Sequence, residues 1–468
     1  MSLPTLIQKQ ILDYIYYQDK QDYITKGGKY SLRYALVDKQ WFKISKQILN
    51  NNTILPINII ENSNNSNSHS QLRLITKESI QQIAIKFRDI KGYIEIVNRL
   101  YKSVNSITIT HSDHNDGWIN ESLWFLNHLN KLDRIDSINV NFEMSLFCEN
   151  PANTRLGEKE IKVPFKFKTN HFKVEYQYEC ENYELKTYAY IYEMIKDLNP
   201  KSIEFFSDPA SEDGASHLKM FHSLSKLDNQ YQSILIAYDY IPLYSLYRFL
   251  QSPTLKIFKF NLQFHFIRAL YNDKQNNDDG DGGGNFNFNV MDNFLFKDFH
   301  NNSYEFEMQQ CIENNVNEDN QVYCTFDEWG DCNPTIPNYS KQLWKECLHL
   351  LANNKTITEL SIGDTICGKP CYGEKKAAYQ QLFDDLLDSL SKNKSIKTLS
   401  FDFVELDLAH HPINKEFLST LIQNNTTLES IYVGVEYRDG IIKSMFDDLS
   451  KSMPSNSKCV IKINTYEP

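Results

Sequence analysis

The chain reads as an α/β repeat array, parallel strands with outer helices, preceded by a small all-α module. Three observations predict this. LWKECLHLLANNKTITELSI (Leu343 to Ile362), LFDDLLDSLSKNKSIKTLSF (Leu382 to Phe401) and FLSTLIQNNTTLESIYV (Phe417 to Val433) align as copies of one unit. Each copy carries helix-spaced apolar residues before an Asn-rich hinge, Leu348 and Leu351 in the first and Leu387 and Leu390 in the second. After the hinge the apolar residues fall at i, i+3 and i+5: Ile357/Leu360/Ile362, Ile396/Leu399/Phe401 and Leu428/Ile431/Val433. The last two of each trio stand two apart and share one face of a strand. A helix followed by a strand cannot bury its own apolar side, so such units stack on their neighbours.

Composition bounds what such an array can do. The chain has 468 residues, 41% of them hydrophobic, enough for a large core. A net charge of -11, from 49 basic and 60 acidic residues, argues against a dedicated nucleic-acid binder. No apolar run is long enough to span a bilayer, and Lys9 and Asp13 interrupt the first apolar segment, unlike a signal peptide. The expected location is cytoplasmic or nuclear, without membrane contact. Nine scattered cysteines fit reduced structural thiols rather than a disulfide framework.

Residues 1–55 differ from the repeats. Leu3, Pro4, Leu6, Ile7, Ile11, Leu12 and Ile15 give one apolar helical face, with Pro4 where a first turn tolerates it. Leu32, Ala35 and Leu36 form a second face, and Trp41, Ile44 and Ile48 a third. One reading is a helical cap on the array. The opening Leu3-Pro4 and the segment Val37-Asp38-Lys39-Gln40-Trp41 also resemble an F-box, the module that tethers a substrate receptor to the small adaptor subunit of a cullin-RING ubiquitin ligase. That resemblance implies an adaptor groove filled by Leu3, Pro4, Ile7, Ile11, Val37 and Trp41, the helix-in-groove mode. The alternative for each is a place in the core of the helical hairpin.

Residues 56–70, with the run ENSNNSNSHS, form a polar linker. From 71 to 270 the strand phrase returns at Ile80/Ile83/Ile85, Val104/Ile107/Ile109, Ile135/Ile138/Val140, Tyr231/Ile234/Ile236 and Leu255/Phe258/Phe260. A partial copy puts Ile203 and Phe205 after Pro200. Leu123, Leu126 and Leu129 supply a helical stripe ahead of the third copy. An aromatic-rich interruption near 141–190 alternates with polar residues and predicts a hairpin or a pair of strands. A second interruption, 271–340, opens with the acidic, Gly-rich NDKQNNDDGDGGGN, which lacks the glutamate that would complete a calcium loop. Residues 341–468 hold the best repeats.

The phrase is similar to the leucine-rich repeat, in the form with a helix on the convex side, whose pre-strand segment often reads N-x-T-L as Asn425 to Leu428 does. In that family an Asn commonly sits three residues after the last strand anchor and bonds the turn backbone. Here that slot holds Arg88, Ser112, Glu143, Asp239, Gln263, Thr365, Val404 and Glu436, so the expected solenoid is irregular.

Catalytic signatures are missing from the sequence: no Walker-type loop, G-x-G-x-x-G, H-E-x-x-H or G-x-S-x-G occurs. Cys324 with Cys332, and Cys367 with Cys371, are spaced by eight and four rather than as zinc knuckles. His410-His411 beside Pro412 reads as a solvated turn. No cofactor or metal is expected. The residues of interest lie between strand anchors and point away from the core: Ser361, Ser400 and Tyr432. Aligned on a concave parallel sheet, they would form a protein-binding surface. Taken together, the two resemblances imply a non-catalytic substrate receptor that joins a protein target to the ligase adaptor. The alternative is an interaction scaffold whose first helices only cap the array.

Overall fold

A computed structural model describes residues 54–56, 82–86, 104–113, 129–130, 135–146, 166–176, 185–206, 220–221, 223–263, 338–365, 376–402, 413, 415–436 and 459–466. The candidate adaptor residues Leu3 to Trp41, most of the polar linker and residues 264–337 lie outside this set. The chain divides into two compact units, one made of 1–146 with 163–170 and the other of 147–162 with 171–468.

In the first unit, β1 (Ile54–Pro56), β2 (Gln82–Lys86), β3 (Ser106–Asp113) and β4 (Asn139–Leu146) pair in chain order, every pair parallel. Ile83 lies opposite Ile107, which lies opposite Val140, and all three are buried. Half-buried Asn141 faces the other way and donates from Nδ2 to Ser106 Oγ and Thr108 Oγ1, each at 3.4 Å. β1 falls where the expected helical module meets the expected linker, and it pairs with β2 in the sheet.

The second unit contains β5 (Lys168–Tyr176) from His171 onward, β6 (Ser202–Phe206), β7 (Ser233–Pro242), β8 (Ile257–Gln263), β9 (Glu359–Thr365), β10 (Thr398–Asp402), β11 (Ser430–Glu436) and β12 (Val460–Tyr466). These too pair in chain order and parallel. The helices are α1 (Leu185–Leu198), α2 (Leu243–Leu250), α3 (Asn338–Asn353), α4 (Lys376–Lys392) and α5 (Lys415–Asn424). Parallel neighbours require a crossover between them, and helices supply it. α2 packs on α3, α3 on α4 and α4 on α5.

Burial follows the two periods read from the sequence. Leu343, Trp344, Cys347, Leu348 and Leu351 make one buried stripe along α3, and Phe417, Leu418, Leu421 and Ile422 another along α5. The strand anchors Leu360, Ile362, Leu399, Phe401, Ile431 and Val433 are buried on the sheet. Edge-on aromatic contacts join the layers: Phe401 meets Phe417 at 5.9 Å, Phe249 meets Phe258 at 5.8 Å, and Phe205 meets Phe221 at 5.1 Å. Ile357, Ile396 and Leu428 are all buried just ahead of consecutive strands of one sheet.

The asparagine of the hinge explains how each helix turns into its strand. Asn393 is fully buried and uses its whole amide. Its Oδ1 accepts from Ser395 N at 2.8 Å and Ile396 N at 2.9 Å, and its Nδ2 donates to Leu351 O at 2.6 Å and Asn354 O at 3.4 Å. Asn425 repeats the pattern with Thr427 N, Leu428 N, Leu390 O and Asn393 O. Asn354 accepts from Thr356 N and Ile357 N and donates to Leu250 O at 3.2 Å. An amide is suited to this place because it offers acceptor and donors at once. A ladder therefore exists, but at the entry to the strands and not three residues past their last anchor, where the family pattern put it.

The aromatic-rich stretch, where a hairpin or a pair of strands is expected, contributes β5. Its described part is not a hairpin: β5 runs parallel to β6, with Phe172 opposite Ile203, and α1 starts at Leu185. α1 ends where Asn199 takes a positive φ of 43° just before Pro200, a left-handed stop that Asn tolerates. β12 was not expected, because it carries Ile461 and Ile463 without the usual apolar residue three positions earlier, where Lys458 stands.

Candidate interaction face

Along each strand of the second unit, alternate residues point away from the helices. The register places them in rows. Lys173 lies opposite Glu204, Glu204 opposite Leu235, and Leu235 opposite Lys259. The row continues through Ser361, Ser400, Tyr432 and Lys462. The three residues singled out from the sequence are thus direct cross-strand neighbours on β9, β10 and β11. Ser361 is 9% exposed, while Ser400 and Tyr432 are half-buried. A short side chain between Lys259 and Ser400 leaves little of itself uncovered, which accounts for the low figure at Ser361.

The ends of the row are charged and internally paired. On β11 and β12, Lys462 Nζ donates to Tyr432 Oη at 3.1 Å and lies 5.0 Å from the ring centroid. Next to it Val460 is 53% exposed. On β5 and β6, His171 Nε2 sits 3.2 Å from Glu204 Oε2, and Nδ1 sits 3.3 Å from Ser202 Oγ. Lys173 reaches Glu175 at 3.4 Å and stacks 4.8 Å over Phe206. Sequence reading missed these partners, because His171 and Ser202 are 31 residues apart and only the register brings them together.

Hydroxyl, imidazole and carboxylate in a line invite comparison with a nucleophilic relay. The backbone around Ser202 is committed to pairing with β5 and β7, however, so the strand does not aim two converging N–H groups at a developing oxyanion. Among the described residues no three His, Cys, Asp or Glu side chains converge on a metal position. Cys324, Cys332, Cys367, Cys371 and His410-His411 lie outside the described residues. Cys347 and Cys459 are buried free thiols. Burial pushes both up, Cys459 to about 11, and Cys347 Sγ donates to Leu243 O at 3.6 Å. Both act as small apolar side chains. Among the described residues no helix is long and apolar enough to cross a membrane.

No family model matches the chain, and no curated protein matches its sequence.

Proposed function

We propose that this is a non-catalytic protein-binding protein whose partner lies on the sheet face turned away from the helices. The observation that carries the reading is the row Lys259, Ser361, Ser400, Tyr432 and Lys462, one side chain per strand at fixed spacing across β8 to β12. Parallel strands stand about 4.8 Å apart, so five of them present a contact strip roughly 19 Å long. Small centres with an aromatic and a lysine at one end suit a macromolecular ligand, for which Tyr is a favoured anchor.

The F-box resemblance at Leu3, Pro4, Ile7, Ile11, Val37 and Trp41 extends this to a substrate receptor of a cullin-RING ligase. Such a receptor contributes local concentration rather than side-chain chemistry.

Two experiments test the reading in separable steps. Affinity capture with the full chain is compared with a Ser361→Glu, Ser400→Glu, Tyr432→Glu variant of unchanged melting temperature; a partner retained by the variant rules the face out. Pull-down of the purified adaptor, with and without residues 1–50, tests the receptor role. Adaptor binding that vanishes with those residues is the expected result, and no adaptor binding leaves an interaction scaffold.

A further inference from the structure

Helices hand over to strands along one rim of the second unit, and there the backbone joins neighbouring repeats directly. Thr358 N donates to Lys256 O, Lys397 N to Thr358 O and Glu429 N to Lys397 O, each at 2.8 Å. Lys256, Thr358, Lys397 and Glu429 therefore stand side by side at the mouths of β8, β9, β10 and β11, and all four are exposed. Lys355 and Lys394, also exposed, each follow a hinge asparagine on the same rim.

The lysines here divide into two kinds. Lys392 bonds Asp388, and Lys397 lies 3.0 Å from Glu429. Lys256, Lys355 and Lys394 have no ion-pair partner among the described residues. Nor do they close the helix ends, because hinge asparagines already do: Leu250 O takes Asn354, Leu351 O takes Asn393, and Leu390 O takes Asn425. From the mouth of β8 to that of β10 the described chain sets one exposed, unpaired acid, Glu359, against these three cations. In a chain of net charge -11 the sign is locally reversed. Two strand spacings amount to roughly 10 Å, close to the screening length of about 8 Å at physiological salt, so the three ammonium groups act on an anion together.

We infer that this rim docks an acidic segment of a protein partner, with carboxylates facing Lys256, Lys355 and Lys394. Side chains on one edge of an extended segment recur about every 6.8 Å, so two or three alternate carboxylates cover the distance. Duplex nucleic acid carries one charge per roughly 1.7 Å, far more than three lysines neutralise, and the rest of this acidic chain would repel it. The rim shares no residue with the row on the sheet face, and the inference stands without that row.

The test is fluorescence anisotropy of a labelled peptide of alternating Glu and Ser, titrated with the full chain at low salt. The Lys256→Gln, Lys355→Gln, Lys394→Gln variant is expected to bind about tenfold more weakly, as loss of three exposed ion pairs does, with an unchanged melting temperature. Arginine at the same three positions is expected to restore binding, because the charge is kept. A second variant, Lys168→Gln, Lys345→Gln and Lys415→Gln, takes the same charge from β5, α3 and α5 and is expected to keep the parent affinity. Equal losses in the two triple variants reduce the effect to net charge and overturn the inference, as does a peptide that fails to bind the parent chain. Oligothymidine that binds the parent more tightly than the peptide, and is lost with the rim variant, overturns the choice of an acidic polypeptide.

Discussion

Asn425 donates from Nδ2 to the backbone carbonyl of Asn393 at 3.0 Å, so that one hinge asparagine holds the next. The same residue accepts from two amides at the start of its own strand, Thr427 N at 2.8 Å and Leu428 N at 3.2 Å. Each rung therefore satisfies backbone groups on two repeats. Replacing Asn393 with Ala takes the acceptor from Ser395 N and Ile396 N and leaves Leu351 O with Asn354 N as its remaining donor. The expected cost is about 2–4 kcal/mol, read by urea unfolding. Asn393→Asp should recover little, because an acceptor-only carboxylate would face the carbonyls of Leu351 and Asn354. An Ala variant as stable as the parent would remove the ladder from the account of the fold.

Gly363→Ala brings a methyl to within 1.6 Å of Asn261 Oδ1 and forces that side chain aside. Overpacking of this kind costs about 1–3 kcal/mol. In an Asn261→Gly background the penalty should largely disappear, and a double-mutant cycle measures the difference. Equal penalties in the two backgrounds would mean that the collision is not with Asn261.

Phe258 is fully buried, 5.8 Å from Phe249 and 4.7 Å from Phe260. Phe258→Ala is expected to destabilise by about 3–5 kcal/mol, the range for emptying an aromatic site in a core. Val460→Ala, at a position 53% exposed, should stay within about 0.5 kcal/mol. Denaturant midpoints of the two variants separate core from edge.

Alkaline pH acts through the buried weak acids. Burial raises Cys347, Cys459 and Tyr231 above their ordinary values, with Cys459 at about 11. The folded chain thus holds protons that the unfolded chain releases first. The stability this contributes is complete below the ordinary thiol range, and it declines as pH rises through that range towards and past 11 for Cys459. Melting temperature between pH 8 and 11 should fall, and replacing Cys347 and Cys459 with Ala should flatten the slope while lowering the plateau. Iodoacetamide should modify neither of these two thiols at pH 8 until the chain is unfolded.

The strands were legible because their anchors follow a spacing that only stacked strands satisfy. Ile107, Ile234, Leu360, Leu399 and Ile431 are all buried, as that spacing requires. The Asn hinge was visible as composition, but its bonding was not, since the rule applied looked beyond the strand rather than ahead of it. β5 was obscured by aromatic alternation, which a hairpin and a single parallel strand produce equally well. The pairs on the open face depend on register, and register between segments about thirty residues apart is set by packing of whole repeats rather than by any local signal.

One consequence concerns how this array closes. β8 ends at Gln263 and α3 starts at Asn338, yet Phe258 pairs with Leu360 as neighbours do elsewhere in the sheet. Continuity of the array is thus carried sideways there, from strand to strand. The seam between β8 and β9 is accordingly where neighbouring described strands of the second unit lie farthest apart along the chain, and closing it asks for the largest loop.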